Sequence, residues 1–393
     1  MTAAEPRAVC VVTGSRAEYG LLAPVMREIR RQPTLRLQLA ITGTHLSPAH
    51  GETWHAIARD GFSIDERVDL GLDGDSGAER ARAAGRGVSG FADAFSRLGP
   101  GLIVLLGDRY EILAAAIAAL LMRIPIAHIA GGDVTEGAFD DAIRHSLTKL
   151  SHLHFVTTPA SARRVRQLGE EEHRIIVSGS TGIDVIRETP PLSREEIEHR
   201  LGFRLRKRNL LVTFHPVTLG AVPGEEQLGE LLAALGALGP DTGLIFTAPN
   251  ADPGAAPLRA RLDAFIAGHP SACLHESLGQ LLYLSAMHHC DAVVGNSSSG
   301  LYEAPALKKP AVNVGDRQQG RERAASVIDC PPARDAIAAA LSKALEMDCS
   351  TVESPYGDGH AASRIVSHLV SLPDWTALLR KRFIDLPEAG AAG

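Results

Sequence analysis

The sequence predicts an α/β protein built of two doubly wound, Rossmann-like domains, each a parallel sheet covered by helices. Three observations predict it. Short apolar runs alternate with longer helix-like segments, the form a parallel sheet takes in sequence. The same rhythm starts again after residue 208. The chain has 393 residues, more than one core ordinarily organises, since domains of roughly 150–200 residues are usual. Two such lobes are expected to face a central cleft, because doubly wound sheets bind ligands beyond the carboxyl ends of their strands.

Taken in order, strands are read at 8–14 (AVCVVTG), 35–43 (LRLQLAITG), 102–108 (LIVLLGD), 124–132 (IPIAHIAGG), 153–158 (LHFVTT) and 174–180 (RIIVSGS). Helices between them include Leu21 to Arg31, Tyr110 to Met122 and Asp140 to Leu150. The second series runs through 209–216 (NLLVTFHP), 243–250 (GLIFTAPN), 292–298 (AVVGNSS) and 310–315 (PAVNVG). One unit occurs in both halves: strand, polar turn, helix, basic residue, proline, strand, once from Leu102 and once from Asp291.

The boundary is expected at RETPPL, 187–192, where prolines prevent helix continuation. Ser193 and Glu196 follow with the spacing of a capping box. The expected organisation is therefore a first domain over 1–186 and a second over 193–368. A C-terminal helix within 369–393 then packs back on the first domain and ends in a loose tail, PEAGAAG.

An apolar share of 45% with 22% charged residues describes a soluble globular chain. The longest apolar run, 112–122, falls well short of the roughly 20 residues of a membrane span. The N-terminus enters a strand-like run with no signal-peptide pattern, so a cytoplasmic location is expected. Five widely spaced cysteines with no CxxC pair read as reduced packing residues rather than a disulfide framework or zinc ribbon. A formal charge of −6 offers no general attraction to nucleic acid or anionic membranes, so an anionic ligand must be held by local groups.

Three stretches supply such groups. In TGSRAEYGLL a strand enters a turn at Gly14 and then a helix, so backbone N–H groups and Arg16 can hold a phosphate; an ordinary tight turn is the competing reading. In GNSSSGLYE, Ser297, Ser298, Ser299 and Gly300 offer hydroxyl and amide donors ahead of a helix. Glu303 of that helix can accept from a ribose diol, or it is a solvent-facing residue. The third stretch is acidic: Asp108, Asp133, Glu136, Asp140 and Asp141, with His145 one turn further. Asp108 and Asp133 follow consecutive strands, and paired acids in a closed site can have their pKa values driven apart, giving one base and one acid. His215, at a strand end before proline, and Arg317 are further candidates for diphosphate or proton contacts. His288 and His289 are adjacent on a helix, point different ways and read as packing, so no metal site is expected.

These motifs, with TGTHLSPAHGET, GDRYEILAAAIAALLMRIPIAHI, GGDVTEGAFDDAIRHSLTKLSHLHF, TFHPVT, the continuation to GDRQQGRE, and YGDGHAASRI, run in order from residue 13 to about 365. Together the set resembles the UDP-N-acetylglucosamine 2-epimerase family, its hydrolysing branch in particular. The resemblance implies a glycosyltransferase-B type fold with the nucleotide mainly on the second lobe. It also implies removal of the C2 proton of an NDP-N-acetylhexosamine, loss of the nucleoside diphosphate from C1 to leave a 2-acetamidoglucal, and hydration to the free 2-epimer, with no cofactor. A homodimer or homotetramer is the implied assembly.

Carried over by motif, Asp108 and Asp140 are catalytic acid or base, and His215 lies near the diphosphate and the reacting sugar. Ser297 and Ser298 bind phosphate, Glu303 binds ribose, and Arg16 and Arg317 hold the diphosphate, with Arg109 and His145 expected among the substrate- and nucleotide-binding residues. The TGTHL stretch, 42–46, looks like the hydrolysing branch.

HIAGGD, 128–133, is the departure. Many relatives place a catalytic glutamate directly before the Gly-Gly, where this chain has Ala130. Asp133 or Glu136 is then expected to take over that contact, and the glycines are expected to admit a sugar close to the backbone. A smaller residue also suits a modified sugar, such as a 2,4-diacetamido-2,4,6-trideoxyhexose of the kind that leads to legionaminic acid, as an alternative to UDP-N-acetylglucosamine. A transferase of the same fold and a non-catalytic sugar-nucleotide binder are the rival classes.

Overall fold

The computed structural model describes residues 5–48, 51–72, 76–134, 139–216, 223–249 and 255–385. The chain forms two compact units, Met1–Val185 with Gly359–Gly393, and Ile186–Asp358.

The first unit contains β1 (Arg7–Thr13), β2 (Leu35–Thr42), β3 (Glu66–Val68), β4 (Leu102–Leu106), β5 (Ile126–Ile129), β6 (Leu153–Val156) and β7 (Ile175–Val177). They lie in the order β3-β2-β1-β4-β5-β6-β7, and every described pairing is parallel. Because side chains alternate across a strand, Val9 and Val11 enter one core layer with Leu22, Met26, Ile29, Ile365 and Leu369. Cys10 and Val12 enter the other with Phe91, Phe95 and Ile112. Both faces are therefore covered, as a parallel sheet requires.

The second unit contains β8 (Arg208–Thr213), β9 (Thr242–Thr247), β10 (Ala272–His275), β11 (Ala292–Gly295), β12 (Ala311–Val314) and β13 (Val327–Cys330). Their order is β10-β9-β8-β11-β12-β13, again parallel throughout. Leu210 and Val212 face one layer and Leu211 the other.

The structure refines several expectations. The first helix starts at Arg16, not Leu21, because the Ser15 hydroxyl accepts from the Glu18 amide and caps it. The strands stop before their polar or glycine ends, so β5 closes at Ile129 and β11 at Gly295. No separate helix follows residue 371 within the described part of 369–393, apart from the short 3-10 turn Thr376–Leu379. Pro373 sits just beyond the helix Ala361–Ser371 and prevents its continuation. That helix belongs to the first unit through Ala362, Ile365, Val366 and Leu369, so the return to that unit comes at Gly359 instead of after residue 368. The tail PEAGAAG lies outside the described residues.

In each unit the chain winds outward from a central strand and then restarts on its other side. That switch falls between β1 and β4 in the first unit and between β8 and β11 in the second. Loops leaving those strands diverge, and the crevice between them is where doubly wound sheets hold ligands.

Candidate active site

In the first unit the switch-point loops are 14–15 after β1 and 107–109 after β4, with 130–134 after the neighbouring β5. Arg144 ties two of them together. Its guanidinium donates to the Asp108 carboxylate and, at 2.9 Å, to the Asp133 carbonyl oxygen. It also lies 3.7 Å from Asp141. Arg144 is buried, so this bridge is shielded from solvent. Burial lifts the Asp108 carboxyl above its ordinary value; Arg144 opposes that, and the charge of Asp140 adds to it. Asp140 opens the helix Asp140–Leu150 half-buried, and His145 of that helix pairs with Asp141 at 3.4 Å.

Asp133 is held by its side chain as well. Its Oδ1 accepts from the hydroxyls of Thr157, at 2.6 Å, and Ser161, at 2.5 Å. Arg164 donates to the Gly132 carbonyl at 3.1 Å, which fixes the same turn. Glu136 lies outside the described residues.

The chain's own packing already requires the Gly-Gly pair. Gly132 has φ +77, and a Cβ there would stand 2.3 Å from the Ser161 carbonyl oxygen and 2.9 Å from Val165 Cγ2. A Cβ at Gly131 would meet Thr148 Oγ1 at 3.0 Å and His128 Nδ1 at 3.1 Å. The turn is thus packed against the chain's own helix Pro159–Gln167 and buried histidine. Gly132→Ala is expected to cost about 3 kcal/mol, from left-handed strain plus overpacking. Trp54 and Trp375, the two tryptophans of the chain, both belong to the first unit. Urea unfolding followed by tryptophan emission reads the loss, and an unshifted midpoint would refute this account.

Ala130 itself adopts φ +65, a left-handed conformation rare for a residue with a side chain. Its methyl packs against the core layer of Val9 and Val11.

The turn after β1 is closed from within. The Gly14 amide donates to Glu18 at 2.7 Å, so it is not simply open to a phosphate. Burial pushes the Glu18 carboxyl up to about 7. The fully buried Glu111 accepts from Arg109 at 2.7 Å and anchors that arginine at the switch point. Arg16 stands exposed at the start of its helix.

In the second unit Asn296, fully buried, joins three loops. Its side chain accepts from the His215 amide at 2.7 Å and donates to the His215 carbonyl at 2.9 Å. Its own carbonyl accepts from Gln318 at 2.8 Å and Arg317 at 3.3 Å. Gly295 before it has φ +132, and a Cβ there would come within 1.9 Å of the Thr213 carbonyl oxygen, so only glycine lets β11 and β8 diverge this closely.

The three serines are not equivalent. Ser299 is buried and hydrogen-bonds Tyr283 at 2.5 Å and Ser297 at 3.1 Å, while Ser297 and Ser298 are half-buried. The Gly300 amide donates to the Ser297 carbonyl at 3.3 Å, which leaves that glycine a packing role against β12. Glu303 Oε2 is buried without a hydrogen-bond partner among the described residues, and burial raises its carboxyl above the usual range. A buried acceptor left unsatisfied is costly, as expected of a group kept for a ligand. His289 donates to the Leu192 carbonyl at 2.8 Å, as a packing histidine does.

Arg144, Thr157, Ser161, Asn296 and Gln318 were not among the sequence candidates. Asn296 was visible in GNSSS but overshadowed by its serines, and Arg144 and Gln318 stand in the motif stretches DDAIRH and GDRQQGRE beside better-marked residues; Thr157 and Ser161 carry no local signal.

A family model described as UDP-N-acetylglucosamine 2-epimerase matches residues 27–370. The chain belongs to the UDP-N-acetylglucosamine 2-epimerase family. Within it, a protein of Campylobacter jejuni named GDP/UDP-N,N'-diacetylbacillosamine 2-epimerase (hydrolyzing) is 37% identical over 383 residues, which are 97% of this chain and 99% of that one. A Legionella pneumophila protein named UDP-N,N'-diacetylbacillosamine 2-epimerase (hydrolyzing) is 35% identical over 375 residues, 95% of this chain and 98% of its own. The fold is shared with the crystal structure of UDP-GlcNAc 2-epimerase from Neisseria meningitidis bound to UDP-GlcNAc, with a TM-score of 0.78 at 22% identity, covering 93% of this chain and 100% of that one. Among the described residues of this family member no helix is long and apolar enough to cross a membrane.

Proposed function

We propose that this family member is a hydrolysing 2-epimerase of a GDP- or UDP-linked 2,4-diacetamido-2,4,6-trideoxyhexose. The observation that carries the chemistry is the bridge of Arg144 between Asp108 and the Asp133 turn, at the carboxyl ends of adjacent strands and with Asp140 close by. Two carboxylates beside a third whose proton affinity is raised are suited to removing one proton and returning another. The names of the relatives at 37% and 35% identity, and the methyl of Ala130 where many relatives carry a carboxylate, favour the diacetamido sugar.

In this reading a carboxylate takes the proton from C2, and the C1–O bond to the diphosphate breaks with its electron pair leaving on the nucleotide. The C2–H electrons become the C1–C2 double bond of a 2-acetamidoglucal. Water then supplies hydroxide to C1 while a proton reaches C2 from the opposite face, so one water is consumed and the free 2-epimer and nucleoside diphosphate are released. Asp108, Asp133 and Asp140 are the catalytic groups. Ser297, Ser298, Arg317 and His215 are the candidates for the diphosphate, Glu303 for the ribose, and Arg16 and Arg109 for further charge on the leaving group.

Plain UDP-N-acetylglucosamine is the second reading, supported by a 30% identical relative named UDP-N-acetylglucosamine 2-epimerase from Neisseria meningitidis. An NMR-monitored screen of UDP-GlcNAc against UDP- and GDP-linked diacetamido sugars, run in heavy water without an acceptor, tests both. The expected result is release of nucleoside diphosphate and a free 2-epimer with deuterium at C2. Product with protium at C2 would rule out C2 deprotonation, turnover that begins only when a sugar acceptor is added afterwards would point to a glycosyltransferase, and binding without turnover in either case to a sensor.

A further inference from the structure

Asp133 follows its strand in a turn that is held at both its backbone and its side chain. Its backbone carbonyl is held by Arg144 at 2.9 Å and the preceding carbonyl by Arg164 at 3.1 Å. Its carboxylate then receives two hydroxyls on a single oxygen, Oδ1: Thr157 Oγ1 at 2.6 Å and Ser161 Oγ at 2.5 Å. An ionised carboxylate can only accept, so both hydroxyl protons point at it.

Those directions fix the rest of the cluster. The Ser161 amide donates to Thr158 Oγ1 at 3.2 Å, as the N-cap of the helix Pro159–Gln167 requires. Thr158 Oγ1 also lies 3.0 Å from Ser161 Oγ. With the Ser161 proton committed to Asp133, the Thr158 hydroxyl is the donor in that pair. The result is an ordered chain, Thr158 to Ser161 to Asp133, joined by Thr157 from the side. Thr157, Thr158 and Ser161 are all buried, so their rotors are shielded from competing water.

We propose that Thr157 and Ser161 are positioning residues that lock the Asp133 carboxylate in one orientation, with Oδ1 saturated and Oδ2 presented to the substrate. The two sit one helical turn apart at the end of β6 and the start of the next helix, so one rigid element aims a side chain that a neighbouring loop carries. Gly132 belongs to the same device, since only a residue without Cβ lets the turn lie on the Ser161 carbonyl. The inference rests on the proposed function, in which Asp133 meets the sugar.

The test compares wild type with Thr157→Val, Ser161→Ala, the double variant and Thr157→Ser, measuring kcat, KM, affinity for UDP and GDP by calorimetry, and melting temperature. Misplacing a catalytic group by about 1 Å costs on the order of a hundredfold. The expected result is therefore kcat reduced by roughly tenfold in each single variant and roughly a hundredfold in the double. KM and nucleotide affinity stay within about twofold, since the lost bonds orient a reacting group and do not bind substrate. Thr157→Ser, which keeps the hydroxyl, restores most of kcat.

A merely structural role would lower the melting temperature of Thr157→Val and Thr157→Ser together and leave kcat per folded molecule unchanged, which would overturn the proposal. Active wild type with an unimpaired double variant sinks this inference alone. A wild type inert on every NDP-N-acetylhexosamine sinks the proposed function, and the inference falls with it.

Discussion

Asp108→Asn is expected to lower turnover by roughly 10²–10⁴-fold, the range that a positioned acid or base contributes. Asparagine has the same shape and keeps an oxygen for the Arg144 guanidinium, so the bridge between the loops after β4 and β5 survives. What it loses is the ability to take and return a proton. Affinity for the bare nucleoside diphosphate is expected to stay within about threefold, because the ribose and most diphosphate candidates lie in the second unit.

The pH profile sharpens the test. Burial raises Asp108 above its ordinary 3.8, with Arg144 pulling down and Asp140 pushing up. A base works once ionised, so kcat/KM of the wild type rises with pH through that elevated value. The corresponding limb is absent in the asparagine variant. Turnover within about tenfold of wild type, or a loss matched by weaker nucleotide binding, would remove Asp108 from the chemistry.

Much of this was legible because a parallel sheet is buried on both faces. β1, β4, β5, β8 and β11 lie inside their sheets, each carries at least three apolar residues bounded by polar turns, and the residues just after them are placed by topology alone. That placement puts Asp108, Asp133 and His215 just beyond the carboxyl ends of their strands. The strands absent from the sequence pattern, β3, β10 and β13, are all edge strands of three or four residues, too short for an alternation or a sustained apolar run to mark them.

What the linear pattern hides is contact at a distance. Arg144 reaches Asp108 across 36 positions and Thr157 reaches Asp133 across 24, with no periodicity to announce either. The glycines of HIAGGD show a related limit. Their requirement for close backbone approach was readable, but whether the approaching partner is a ligand or the chain's own helix is decided only in three dimensions. The same holds for the Gly14 amide, which Glu18 occupies from one turn further along.

Glu170→Gln is expected to remove about 3 kcal/mol from the stability of the first unit at pH 7. The carboxylate is 1% exposed and accepts from Lys149 at 2.6 Å, Lys381 at 2.7 Å and His154 at 2.9 Å. Burial alone would push it up, but those three donors outweigh burial and hold it at about 2, against an ordinary 4.5. Lys381 also donates to the carbonyls of Lys149 and Ser151, and Arg174 to those of Leu378 and Arg380. The C-terminal segment is therefore fastened over the start of β6 by charge-assisted bonds. Glutamine keeps the size of the side chain but presents one carbonyl to donors that met two charged oxygens, and breaking a buried ion pair from one side is costly.

The sign with pH follows from the lowered pKa. A carboxyl depressed in the folded state contributes its full stability above about 4.5 and loses it as pH falls toward about 2. Wild type and variant should thus differ most near neutrality and converge in acid, where wild-type Glu170 is itself protonated. Urea titrations read by Trp54 and Trp375, both in the first unit, give the difference at each pH. A gap that persists unchanged to pH 2 would assign the loss to repacking around glutamine, and the ion cluster would then not be what fastens the C-terminal segment.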